Sequence, residues 1–258
     1  MRLMKRILSA AAVLALSASL LVGCSSGTAS SVPVSASSAA ESTVSSVEET
    51  ASSAVDENEA AAAQLLNDLT GSYQELWPVI LADEYKQTWL DDCTALVGED
   101  NAEAAFEKLS SMVTGDVYGE DAVKAYANGG GAYFCGFTNS LAILTFDGET
   151  STISGTDKDG NVLFSHTYHC IGMEPVRGLY EFQSDDADSG EFTYFFLAPD
   201  TSAETYHIEF RYGSDAEALS QYDTGEYAYW LASGISTDCD QTMIDNCIEL
   251  FCTENLAG

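Results

Sequence analysis

LAILTFDGETSTISGTDKDGNVLFSHTYHCIG, residues 141–172, decides how this chain is read. From Ser140 the apolar period is two and turn signals multiply, which is the mark of an antiparallel sheet. Leu141 to Phe146 reads as a strand, Asp147-Gly148 as a tight hairpin turn and Ser151 to Gly155 as its short partner. Asp157-Lys158-Asp159-Gly160 then turns the chain into Val162 to Ile171. The same rhythm continues downstream. Gly172 to Pro175 turns into Arg177 to Gln183, the acidic loop Asp185 to Gly190 leads to Phe192 to Leu197, and Ala198-Pro199-Asp200 opens the turn before Thr205 to Tyr212. At least six strands joined by short hairpins in about 75 residues predict an up-and-down meander, which loses its exposed edges by closing into a barrel.

Outward from this region the period becomes helical. On the N-terminal side, Glu57 to Leu69 carries Leu65, Leu66 and Leu69 on one side and is stopped by Gly71. A short apolar segment, Leu76 to Leu81, is broken at Pro78, and Tyr85, Trp89 and Leu90 follow at helical spacing. Asn101 to Val113 is amphipathic, with Ala105, Phe106, Leu109, Met112 and Val113 on one face and Asn101 as its cap. On the C-terminal side, Asp238 to Glu254 gathers Met243, Ile244, Cys247, Ile248 and Phe251 on one face. Helices before the meander and one after it predict an α+β protein with a single core.

The first 56 residues have a different character. Arg2, Lys5 and Arg6 precede an apolar stretch, Ile7 to Val22, that is short for a membrane span and reads as a secretory signal. It ends in Leu21-Val22-Gly23-Cys24, which resembles the bacterial lipobox. That resemblance implies removal of residues 1–23 and lipidation of Cys24 as the membrane anchor. Ser25 to Val55 holds 12 Ser, 3 Thr, 6 Ala and 5 Val with no aromatic residue, too little apolar surface to offset ordering entropy. Residues 24–56 therefore read as a lipidated Cys with a flexible tether of roughly 30 Å reach, and 57–258 as the folded domain.

Charge narrows the partners. The 258 residues carry 9 Lys+Arg against 41 Asp+Glu, a formal −32. Three of the bases lie in the leader, so without it six bases face all 41 acids. Such a surface repels phosphate backbones and anionic headgroups, which excludes nucleic acid and leaves the lipid anchor as the means of membrane contact. Hydrophobic content of 46% excludes disorder as a description of the whole chain.

Few residues carry recognisable chemistry. Beyond Cys24 there are six cysteines, Cys93, Cys135, Cys170, Cys239, Cys247 and Cys252, and no C-x-x-C pair. Disulfides or buried thiols are favoured over a zinc-cysteine cluster, with the pairing open among fifteen possibilities. His166 and His169 lie three apart on a strand, so they point to opposite faces and do not share a metal. Thr205, His207 and Glu209 alternate along one expected strand and leave by the same face, which makes half a metal site. G-x-S-x-G, H-E-x-x-H and Walker patterns are absent, Gly129-Gly130-Gly131 lacks a phosphate-binding Lys, and no enzymatic activity is expected. Asp185 to Glu191 fails the calcium-loop pattern at Ala187 and Ser189 and reads as a solvated loop.

The run Tyr73-Gln74-Glu75-Leu76-Trp77-Pro78-Val79-Ile80-Leu81, followed by Trp89, resembles the opening of the ZinT family of bacterial zinc-binding proteins. The likeness continues through Phe164 to Gly172, Val176 to Phe182, Asp186 to Phe192, Tyr206-His207-Ile208 and Gly213 to Leu219. It covers about Leu69 to Leu256, with a poor match over Tyr126 to Thr138. The resemblance implies a calycin-type, lipocalin-like barrel with flanking helices, an extracytoplasmic location, and zinc capture beside a metal transporter. It also exposes departures. The family holds zinc with three His, one in an S-D-H turn and two in H-F-H. Here Thr205-Tyr206-His207 keeps only the second of that pair, and Asp200, or Phe195 in another alignment, stands where the turn His would be. Two readings follow: a divalent-metal site, for zinc before other ions, built from His207, Asp200, Glu209 and Thr205, or a metal-free barrel whose Tyr- and Phe-lined pocket takes a small apolar ligand or whose surface takes a protein partner.

Overall fold

Strand pairing runs around a complete ring. In a computed structural model that describes residues 58–257, each strand pairs antiparallel with its sequence neighbour and the last pairs with the first. The strands are β1 (Gly71–Glu75), β2 (Ile143–Asp147), β3 (Thr152–Thr156), β4 (Val162–Met173), β5 (Tyr180–Ser184), β6 (Tyr194–Leu197), β7 (Ile208–Gly213) and β8 (Ala232–Ser236). Tyr73 opposite Ser236 and Glu75 opposite Gly234 make the closing seam. The closed antiparallel barrel with helices outside it is the α+β, calycin-like architecture expected from the meander. The leader (1–23), Cys24 and the tether to residue 56 lie outside the described residues. Among the described residues no helix is long and apolar enough to cross a membrane.

The inside of the ring is filled by the chain's own rings. Register sets Tyr73 against Leu144, Phe182 against Phe195, and Phe195 against Tyr212, so these side chains share the interior face. Phe195 stands 5.3 Å from Tyr212, 5.4 Å from Tyr168 and 5.8 Å from Phe164, centroid to centroid. Aromatic contacts of this kind add about 0.5–1.5 kcal/mol each beyond area burial.

A second core corrects the expectation of a single one. Helices α2 (Leu76–Ile80), α3 (Lys86–Val97), α4 (Glu99–Val113) and α8 (Gln241–Leu256) bury Leu76, Trp77, Ile80, Trp89, Leu109, Ile244 and Ile248 together with Ile235 of β8. The cause is that Ile235 lies in a strand buried on both faces, so the helices must cover its outer side. Trp89 anchors this layer: it is fully buried and its Nε1–H donates to the Ile80 carbonyl at 2.7 Å.

Several element boundaries also differ from expectation. Helix α1 spans 58–68 as read. Pro78 does not break the next segment but sits in the first turn of α2, where its missing N–H has no helical partner to lose. Asn101 lies within α4 and not at its cap; the helix starts at Glu99, whose acidic first turn suits the helix dipole, and Asn101 Nδ2 donates back to the Val97 carbonyl. Strands β1 and β8 and helix α5 (Glu120–Ala127) were not expected.

A candidate metal centre

The stretch before β7 is not the strand that its alternation predicts. Thr205 ends a helical turn, α6 (Ser202–Thr205), which opens with a capping box: Thr201 and Glu204 bond reciprocally. Tyr206 then adopts the left-handed conformation, φ 67°, and β7 begins only at Ile208. The turn chemistry of T-x-x-E outweighs the period-two pattern, so Thr205 does not share a strand face with Glu209.

This local path positions His207. Its Nδ1 lies 2.7 Å from the Thr205 carbonyl, which can only accept, so Nδ1 carries the hydrogen. Nε2 is then the basic nitrogen, and it looks toward Glu209 Oε1 at 4.0 Å. The Thr205 hydroxyl is occupied with the His207 carbonyl at 2.7 Å and the Thr201 carbonyl at 3.2 Å, which leaves the main-chain carbonyl as the group that orients the imidazole.

The pocket around Nε2 lies outside the barrel wall. Ile208, Phe210 and Tyr212 belong to the interior core, so the intervening Glu209 faces outward, toward α8. A cavity of about 120 Å³ is lined by Ala198, Asp200, Thr205, His207, Glu209, Leu250 and Glu254. All four positions singled out in the sequence thus meet in one cavity, together with Glu254, a carboxylate that sequence reasoning missed. No local signal pointed to Glu254, because α8 reaches the site only through tertiary packing. The lining has three carboxylates and no Lys or Arg. Below it, a smaller cavity continues to Leu76, Trp77, Ile80 and Phe251, which gives the site an apolar floor.

The site is open. Among the described residues no three His, Cys, Asp or Glu side chains are gathered closely enough to hold a metal ion. Cys247 lies beside the imidazole, with Sγ 3.9 Å from Nδ1, but burial and then Glu254 push its thiol up to about 12. It is therefore protonated near neutral pH and contributes no thiolate.

The other two histidines have separate partners. His166 pairs with Asp186 at 2.7 Å and His169 with Asp185 at 2.6 Å. Two adjacent acids of the β5–β6 loop thus take one imidazole each from opposite faces of β4. All six cysteines in the described residues are free thiols, four buried and two half-buried.

No protein-family model and no curated protein sequence matches the chain. Among solved structures it is similar to the Zn(II)-bound ZinT-like domain of AdcA from Streptococcus pneumoniae, at 15% identity and a TM-score of 0.45, over 72% of this chain and 89% of that one. It is also similar to Zn(II)-bound AdcA from the same organism, at 14% identity and a TM-score of 0.42, over 75% of this chain and 35% of the other, about a third of that protein's length.

Proposed function

We propose that this protein binds a divalent metal ion, zinc before others, and captures or buffers it outside the cytoplasm. One observation carries the reading: the Thr205 carbonyl engages His207 Nδ1 and so leaves Nε2 free, 4.0 Å from Glu209 Oε1, in a cavity where Asp200 and Glu254 are the other charged groups and no base competes. One imidazole and carboxylates form a donor set suited to zinc. The cation is cargo, and the open arrangement suits cargo: His207, Glu209, Asp200 and Glu254 line the cavity that would receive it. Binding is accordingly weaker than in a preformed cage.

The sequence of residues 1–24 supports a lipid anchor at Cys24, and the resemblance of Tyr73 to Leu81 to the ZinT family supports a setting beside a metal transporter. The alternative of an apolar ligand inside the barrel has less support, because the space it would need is taken up by Phe164, Tyr168, Phe195 and Tyr212. Calorimetric titration of the purified protein with zinc tests the proposal. Micromolar or tighter binding, weakened at least about tenfold by His207→Ala, is expected. Absence of binding, or equal binding by the variant, refutes it.

A further inference from the structure

Helices α3 and α8 meet at two sulfurs. Cys93 Sγ and Cys252 Sγ lie 3.9 Å apart, and neither side chain has any exposure to solvent. Among the other thiols, Cys247 lies 3.9 Å from His207 Nδ1 with Cys239 in its wider surroundings, the Cys170 thiol donates to the Gly172 carbonyl at 3.3 Å, and buried Cys135 lies beside Ser233 and Trp77. A gap of 3.9 Å is small enough for side-chain rotation to bring two sulfurs to the bonding distance of about 2.05 Å.

We propose that Cys93 and Cys252 are an oxidisable pair that forms a disulfide between α3 and α8 of the folded protein. The oxidant is a disulfide of a small thiol or of an exchange protein. One cysteine thiolate attacks it and releases the first thiol. The second cysteine then attacks the resulting mixed disulfide at the protein sulfur and releases the second. Two protein thiols thus become one S–S bond, and the oxidant's S–S bond becomes two thiols.

Burial pushes both thiols up, so at neutral pH both are protonated and shielded while the helices are packed. Oxidation therefore requires brief opening of α8, and Cys252 lies one turn from that helix's end at Leu256. Once made, the bond joins positions 159 residues apart and encloses the barrel strands β2 to β8 in one covalent loop. It also fixes the helix that gives Leu250 and Glu254 to the metal cavity.

The test incubates the full chain with glutathione disulfide, in water and at urea concentrations below the unfolding transition, followed by alkylation and digestion with a Glu-specific protease. Cleavage after Glu84, Glu99, Glu249 and Glu254 isolates Cys93 in one peptide and Cys252 in another, apart from Cys247. The expected product is residues 85–99 joined to residues 250–254, lighter than the separate peptides by two hydrogens, formed faster as urea rises, and split by reductant. The proposal is overturned if both cysteines are recovered alkylated under every condition, or if either is joined to a different cysteine. The map is read on the unsubstituted protein, so its outcome does not depend on whether Cys93→Ser or Cys252→Ser folds.

Discussion

Replacing Glu174 by Gln tests how the turn after β4 is held. The side chain is 1% exposed, and its carboxylate accepts four hydrogen bonds. Oε1 takes the Arg177 amide at 2.6 Å, the Leu179 amide at 3.3 Å and the Tyr222 hydroxyl at 3.2 Å, while Oε2 takes the Val176 amide at 2.7 Å. Burial, and after it Glu174 itself, push the Tyr222 phenol up, so it remains a donor. In Glu174→Gln the amide oxygen can keep the three bonds at Oε1, but the new NH₂ faces the Val176 N–H. One bond to a charged group, about 1.5–3 kcal/mol, is lost, and buried donors worth about 1–3 kcal/mol are left opposed. The expected loss is about 3 kcal/mol, out of roughly 5–15 for a folded domain. With a urea slope of about 2 kcal/mol/M, the midpoint should fall by about 1.5 M at constant slope. A double-mutant cycle with Tyr222→Phe should show coupling of about 0.5–3 kcal/mol. A loss below about 0.5 kcal/mol refutes the reasoning, because it would mean that water already satisfies this turn.

Gly155→Ala in β3 should cost about 1–3 kcal/mol in chemical denaturation, because a Cβ there would meet Leu141 Cδ1 at 2.3 Å and Phe164 Cε1 at 2.5 Å. Asp92→Asn should raise stability at pH 7. Burial and next Glu249, Asp245 and Asp91 hold the Asp92 carboxyl above its ordinary value, so the folded state favours the protonated form. Stability is therefore lost as pH rises from the unfolded carboxylate range through the folded pKa, and the advantage of Asn should vanish in urea midpoints taken at pH values below that range. Zinc at about 100 times its Kd should stabilise the fold by about 2.7 kcal/mol. That corresponds to a thermal midpoint higher by roughly 5–10 °C, cut to about half or less in His207→Ala and removed by chelator.

The central strands were legible because Asp-Gly turns punctuate them and Leu144, Phe146 and Ile153 alternate with polar residues. The strands that close the ring were not. GSYQE and ASGIS carry small and polar residues, and their strand conformation comes from partners far along the chain. Thr205 was misplaced although the signal was present in Thr201 and Glu204, a capping box followed by a left-handed Tyr206. For the candidate site, the His207 and Glu209 spacing could be read locally and Asp200 came from the family likeness. Glu254 depends on where α8 docks. The His207 tautomer depends on the Thr205 carbonyl, which no side-chain pattern encodes.

The seam between β1 and β8 also orders events in time. Residues 71–75 emerge early from the ribosome, yet one of their two hydrogen-bonding edges has no partner until residues 232–236 arrive. Loop closure over roughly 160 residues must precede the last ladder, which makes ring completion a late, high-contact-order step. Until then β1 and the growing meander present bare edges, so the chain depends on rapid completion or on shielding of those edges to avoid pairing with its neighbours.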